Sequence, residues 1–268
     1  MELLHYRIYS EDGTISHRKP VMVFIHGFGG SSAMWVRQIH KLKTKYDLVL
    51  LDMPSHGKTK TMLSQMEISY EAVTAMIMDV VDHLKIQKAT FVGCSLGTML
   101  VKYIVLTRPE RVDKYVLIGP VGKYAAWFRF GMNFALCILP VAPLPPIAKL
   151  VARMIVPHKE SAYSRNLFLS CAKHIPKKEF ICWLKMLKLY PAVNVAYQAV
   201  LDQAQNGLYI IGDRDTMFRP TLRHELPRVQ HWTVVEQCGH ICNLDQPEQI
   251  NQLIMTFQDT GALQAVSV

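Results

Sequence analysis

Gly93-Cys94-Ser95-Leu96-Gly97 sets a serine between two glycines directly after the short apolar run 89–92. A strained strand-to-helix turn that holds up a nucleophile is written this way. A side chain at either flank of so tight a turn would collide with the neighbouring strand or helix, so both flanks are glycine. Residues 98–107 follow as a mainly apolar segment, with Met99, Val101, Tyr103, Ile104 and Leu106, and stop before Arg108-Pro109. Proline disfavours helical geometry in the residue before it, so a helix is read as ending there. The serine then lies between strand and helix, its hydroxyl at the top of a sheet. Taken alone, the pentapeptide fits a glycine-softened loop with an incidental serine better.

Three other stretches share its context. Residues 21–25 lead into His26-Gly27-Phe28-Gly29-Gly30, and residues 208–211 lead into Gly212-Asp213-Arg214-Asp215. Residues 232–235 lead, after a short turn, into Cys238-Gly239-His240. Each follows an apolar, strand-like run. In a parallel sheet all carboxyl ends of strands lie along one edge, where ligands bind, so four distant segments converge on one place. Their order is serine, acid, histidine, as in alpha/beta-hydrolases and unlike chymotrypsin or subtilisin.

From about residue 21 to residue 257 the chain resembles the alpha/beta-hydrolase superfamily, in particular its single-domain members with a helical cap, such as small carboxylesterases and lipases. Asp52-Met53-Pro54-Ser55-His56-Gly57 looks like the family's Asp-x-Pro-Gly-His-Gly turn after the fourth strand, with Ser55 in place of glycine. The resemblance implies an α/β fold: a mostly parallel eight-stranded sheet, helices on both faces, and a helical cap inserted after strand 6. Residues 1–119 and 201–268 would form the core, and 120–200 the cap. The coarse reading places strands at 3–9, 15–17, 21–26, 47–52, 89–92, 114–118, 208–211 and 232–235. Helices fall at 33–42, 70–84, 96–107 and 247–258, with Ser69 as N-cap of the second. A chain of 268 residues, 50% hydrophobic, is long enough for one large core.

A serine hydroxyl is a poor nucleophile at neutral pH and needs a base within hydrogen-bond reach, a task that suits an imidazole. His240 is the candidate among 11 histidines. His231 begins its strand at the wrong edge, and by the resemblance His26 and His56 brace loops. A carboxylate must orient the imidazole, and the residues offer both Asp213 and Asp215. The family's Gly-x-x-Asp pattern, counted from Gly212, selects Asp215. The oxyanion of a tetrahedral intermediate needs donors fixed in advance. By the resemblance these are the backbone amides of Phe28 and Leu96, and the Phe28 side chain forms a pocket wall or packs below its loop. The family's haloalkane dehalogenases and epoxide hydrolases carry aspartate where this chain has Ser95, which disfavours their alkyl-enzyme chemistry.

Residues 120–200 hold 11 Lys and Arg against Glu160 and Glu179, which accounts for the whole chain's net charge of +9. The same region contains an uncharged 19-residue stretch, 130–148. Pro140, Pro143, Pro145 and Pro146 would interrupt a membrane-spanning helix there, so an apolar cap lining is expected. Phe28, Trp127, Phe130 and Phe134 are the expected substrate-binding side chains. Such a lining suits an acyl chain, and the basic residues outside suit an acidic acyl carrier protein or an anionic membrane surface. The plainer alternative is a cap that buries its own apolar side and solvates its lysines.

No cofactor or metal is expected. Cys238 and Cys242 flank His240 without a complementary ligand pair. The amino terminus lacks the pattern of a cleavable signal, and six cysteines form no secreted disulfide framework, so the cytoplasm is expected, with peripheral membrane contact through the cap. Nucleic-acid binding is disfavoured, since the basic residues belong to no recognised module. The expected activity is cleavage of small-molecule or lipid carboxylic esters with an apolar acyl part, through an acyl-enzyme on Ser95. The alternative is a ligand receptor on the same fold that turns its signal over once or slowly.

Overall fold

The computed structural model describes residues 2–16, 18–158 and 161–262. Among them seven strands form one sheet: β1 (Tyr6–Tyr9), β2 (Val21–Ile25), β3 (Asp47–Leu51), β4 (Ala89–Cys94), β5 (Val112–Ile118), β6 (Gly207–Gly212) and β7 (His231–Val235). Their spatial order is β1-β3-β2-β4-β5-β6-β7. β1 runs antiparallel to β3, and every other pair is parallel. The inner strands β2 and β6 are apolar without a break because both faces of the sheet are covered. Val23, Ile25, Val49, Leu51, Phe91 and Leu117 point into one core, whereas Met22, Phe24, Leu48, Leu50, Val92 and Val116 point into the other.

The expected eight strands become seven. Residues 15–16 lie outside any strand, and His17, the last of the expected strand 15–17, lies outside the described residues. The Asp47 carboxylate accepts both the Ser16 amide and the Ser16 hydroxyl, and Asp12 accepts the Thr14 amide. Side chains thus satisfy backbone that a ladder would otherwise pair. The helical insertion accordingly follows the fifth strand, not the sixth.

The core helices are α1 (Val36–Leu42), α2 (Tyr70–His83) and α3 (Leu96–Thr107), and after the insertion α8 (Cys242–Asp245) and α9 (Pro247–Thr260). The expected helix 33–42 opens as a 3-10 turn, Ser32–Trp35, before α1. Ser69 caps α2 by accepting the Ala72 amide, and the α2 stripe Val73, Met76, Ile77 and Val80 is buried core.

Between β5 and β6 lie α4 (Ala126–Ile138), α5 (Leu144–Ile155), α6 (Ala162–Ala172) and α7 (Lys177–Val200). The uncharged stretch 130–148 is split between α4 and α5. Pro145 and Pro146 sit in the first turn of α5, where a missing amide hydrogen costs nothing. Among the described residues no helix is long and apolar enough to cross a membrane. α7 continues through Pro191, which leaves the Leu187 carbonyl without its helical donor; the Tyr124 hydroxyl, 3.1 Å away, donates to it instead.

Candidate active site

Ser95 stands alone between the end of β4 and the start of α3, with φ 52° and ψ −114°. A side chain in this region is strained by about 1–3 kcal/mol, so its surroundings must hold it there. The Ser95 amide donates to the Ile118 carbonyl of β5 at 3.0 Å, and its own carbonyl accepts the Thr98 amide and hydroxyl at 2.8 and 2.6 Å. A Cβ on Gly93 would lie 2.5 Å from the Gly97 carbonyl oxygen, and one on Gly97 would overlap the Ile25 carbonyl of β2. Both glycines are therefore demanded by close backbone approach, as the flanks of the turn suggested.

The loops after β6 and β7 bring the other groups to this corner. His240 Nε2 is 2.8 Å from Ser95 Oγ, and His240 Nδ1 is 2.6 Å from Asp215 Oδ2. An ionised carboxylate only accepts, so Nδ1 carries the proton and donates to Asp215, leaving Nε2 to accept from the serine hydroxyl. Burial works against the charge on Asp215. The His240 imidazole, with the amides of Phe218 and Met217 donating to Oδ1, outweighs it and holds the carboxyl below its ordinary pKa. His240 and Asp215 are both buried, while Ser95 keeps some exposure.

Asp213 takes a different part: its Oδ1 accepts the Cys238 amide at 2.9 Å and so ties the end of β6 to the loop carrying His240. The Phe218 ring packs on His240, with centroids 4.8 Å apart. Among the described residues no group of three or more His, Cys, Asp and Glu is gathered as a metal ion would require.

The loop after β2 lies against the serine, since a Cβ on Gly27 would come within 3.2 Å of Ser95 Cβ. Among the described residues neither the Phe28 nor the Leu96 amide meets an acceptor. Two buried histidines fix this loop. His56 Nε2 accepts the Gly29 amide at 3.1 Å while its Nδ1 donates to the Pro54 carbonyl. His26 Nε2 accepts the Met53 amide at 3.0 Å and its Nδ1 donates to the Gly27 carbonyl. Burial, assisted by His26, pushes the His56 pKa down to about 3, and burial lowers that of His26 too. Both are therefore neutral, as ring nitrogens that accept must be.

A cavity of about 190 Å³ lies in the insertion, lined by Phe128, Met132, Ile147 and Leu187 among others, all apolar, and reached by Phe28 of the loop after β2 and Met217 of the loop after β6. Of the side chains expected to bind substrate, Phe28 and Phe134 line it; Trp127 and Phe130 do not. The reason is helical phase. Phe128, Met132 and Ala135 share the inner face of α4, and Trp127 and Phe130 fall on the outer one. Phe128 and Met132 were missed, because α4 carries apolar residues on both faces and the sequence does not say which face turns inward. Met217 carries no signal either, because only the fold brings the loop after β6 to the cavity. A second cavity, of about 270 Å³, lies by Val112 and Asn206 at the amino ends of β5 and β6, the edge away from Ser95.

Comparison with known proteins agrees with this architecture. The family pattern described as the alpha/beta hydrolase fold matches residues 20–247. A 3-oxoadipate enol-lactonase of Acinetobacter baylyi is 21% identical over 255 residues, covering 88% of this chain and 87% of the relative. A carboxylesterase of Bacillus subtilis is 22% identical over 254 residues, covering 89% of this chain and 80% of the relative. The crystal structure of an enol-lactonase from Burkholderia xenovorans superposes with a TM-score of 0.77 at 18% identity, over 96% of both chains.

Proposed function

The chain belongs to the alpha/beta hydrolase fold family as a hydrolase, and we propose that it cleaves carboxylic esters with an apolar acyl part through an acyl-enzyme on Ser95. The observation that carries this reading is the hydrogen-bonded row Asp215, His240, Ser95, with Phe28 and Met217 of the adjoining loops lining an apolar cavity. Relatives described as a lactonase and a carboxylesterase fit the same ester chemistry.

The steps follow from the geometry. Ser95 Oγ attacks the ester carbonyl carbon while His240 Nε2 takes the hydroxyl proton, and Asp215 stabilises the imidazolium. The negative charge moves to the carbonyl oxygen, where the Phe28 and Leu96 amides donate to it. The imidazolium then gives its proton to the departing alkoxide, leaving the acyl group on Ser95. A water molecule, deprotonated by His240, attacks this acyl-enzyme and releases the acid and the free serine. The acyl part lies between Phe28, Leu187 and Met217, and water displaced from that surface provides the affinity.

Steady-state hydrolysis of p-nitrophenyl esters from acetyl to palmitoyl tests the proposal. Many turnovers are expected, with specificity rising beyond acetyl, and Ser95→Ala should lower kcat by about 10⁴-fold or more. Undiminished turnover in that variant would remove Ser95 from the mechanism. A single turnover of bound ester in the wild type would favour the receptor alternative.

A further inference from the structure

The insertion hides the cavity and yet leaves much apolar side chain in water. On α4, Trp127, Phe130 and Phe134 recur at the i, i+3, i+7 spacing of one helix face, and they are 54%, 74% and 57% exposed. Val141, in the turn after α4, is 88% exposed, and Leu150 on α5 is 59% exposed. Single exposed apolar residues are ordinary, but five large ones on one helical hairpin mark a contact surface. Phe134 and Leu150 also line the cavity, so it reaches the outside through this same face. Residues 120–158 contain Lys123, Arg129, Lys149 and Arg153, all exposed, and no Asp or Glu.

We propose that the α4–α5 hairpin docks on an anionic phospholipid bilayer, with Trp127 and Phe130 among the headgroups and the four basic side chains on the lipid phosphates. An acyl chain would then pass from the bilayer between Phe134 and Leu150 into the cavity without crossing water. Exposed aromatic side chains beside Lys and Arg are the composition of a helix that lies in a membrane interface. An acidic protein partner would account for the charge and leave the aromatic face unexplained. Delivery of the acyl chain rests on the esterase reading, whereas docking itself needs no catalysis.

The test separates the two by using Ser95→Ala protein, which binds without turnover. It is mixed at low salt with vesicles of phosphatidylcholine alone, or of phosphatidylcholine with about one-third phosphatidylglycerol. Of the four tryptophans, Trp35 and Trp183 are fully buried and Trp232 lies on β7, so Trp127 reports on the hairpin. Co-sedimentation with the anionic vesicles is expected, together with a blue shift and quenching by brominated lipid that Trp127→Phe removes. Either pair, Arg129→Glu with Lys149→Glu or Trp127→Ser with Phe130→Ser, should weaken binding by about tenfold or more at an unchanged melting temperature.

Failure to bind anionic vesicles would overturn the proposal. So would binding that both variant pairs leave intact, or capture by an acidic acyl carrier protein in place of vesicles. Vesicle binding by a wild type that hydrolyses no ester would sink only the esterase reading.

Discussion

His56 and His26 hold the loop beside Ser95 by accepting backbone amides, which requires neutral rings and makes the loop sensitive to acid. In the unfolded chain a histidine takes up its proton near pH 6.5, whereas burial keeps His56 neutral in the folded protein down to about pH 3. Between those values the unfolded state binds a proton that the native state refuses. Stability therefore rises with pH across this window and is lost as pH falls through it. For His56 alone the loss is about 2 kcal/mol at pH 5 relative to neutral pH. Melting temperatures at pH 7 and pH 5 check this. His56→Gln keeps an acceptor for Gly29 and does not titrate, so its drop should be smaller than the wild type's by about 4–8 °C. Equal drops would show that His56 is not the group involved. The neighbouring carboxylates teach a related lesson: Asp213 and Asp215 are two residues apart and chemically identical, yet one braces a loop and the other meets His240.

Helix α7 is tied to the core by a contact that both partners bury. Ser55 Oγ donates to Glu179 Oε2 at 2.6 Å, and the Ser64 amide donates to the same oxygen at 3.1 Å. The Trp183 indole adds a bond to the Pro54 carbonyl, and Phe180 packs on Phe28 with centroids 4.7 Å apart. The turn that fixes the loop beside Ser95 therefore also carries the insertion. Burial opposes the charge on Glu179, but the donors from Ser55 and Ser64 overcome it and lower its pKa. Its place in the first turn of α7 adds a favourable helix dipole. Glu179→Ala strands two buried donors and should cost about 2 kcal/mol, or about 4–8 °C in melting temperature. Ser55→Gly should cost less, because Ser55 has φ 66° and glycine relieves that strain while losing the hydroxyl. A larger loss from Ser55→Gly than from Glu179→Ala would contradict the contact's proposed weight. Elements such as α2 and α3 were legible in the sequence because their apolar residues repeat at helical spacing and their ends carry Ser69 and Pro109. The phase of α4 was not, since apolar residues lie on both of its faces.

At the scale of the whole molecule, the sheet edge gathers Ser95, Asp215 and His240, and the insertion encloses an apolar cavity. Ala135 lines the cavity on the inner face of α4, so Ala135→Trp should fill it. Esters with long acyl chains should then lose about tenfold or more in kcat/KM, while the acetyl ester stays within about twofold. Equal losses for short and long esters would place the acyl chain elsewhere. The sequence by itself determined the family, the mostly parallel α/β class and the strand-to-helix turn that carries Ser95. It could do so because the turn that holds a nucleophile is a local steric problem, solved by adjacent glycines and an apolar run. Only the tertiary structure decided that Asp213 ties β6 to the loop carrying His240, which α4 residues face the cavity and which face water, and that Ser55 meets Glu179. These depend on segments far apart in the chain, packed at a particular rotation, and no local pattern encodes that rotation. The missing eighth strand has the same origin, for Asp47 captures Ser16 from across 31 residues of chain.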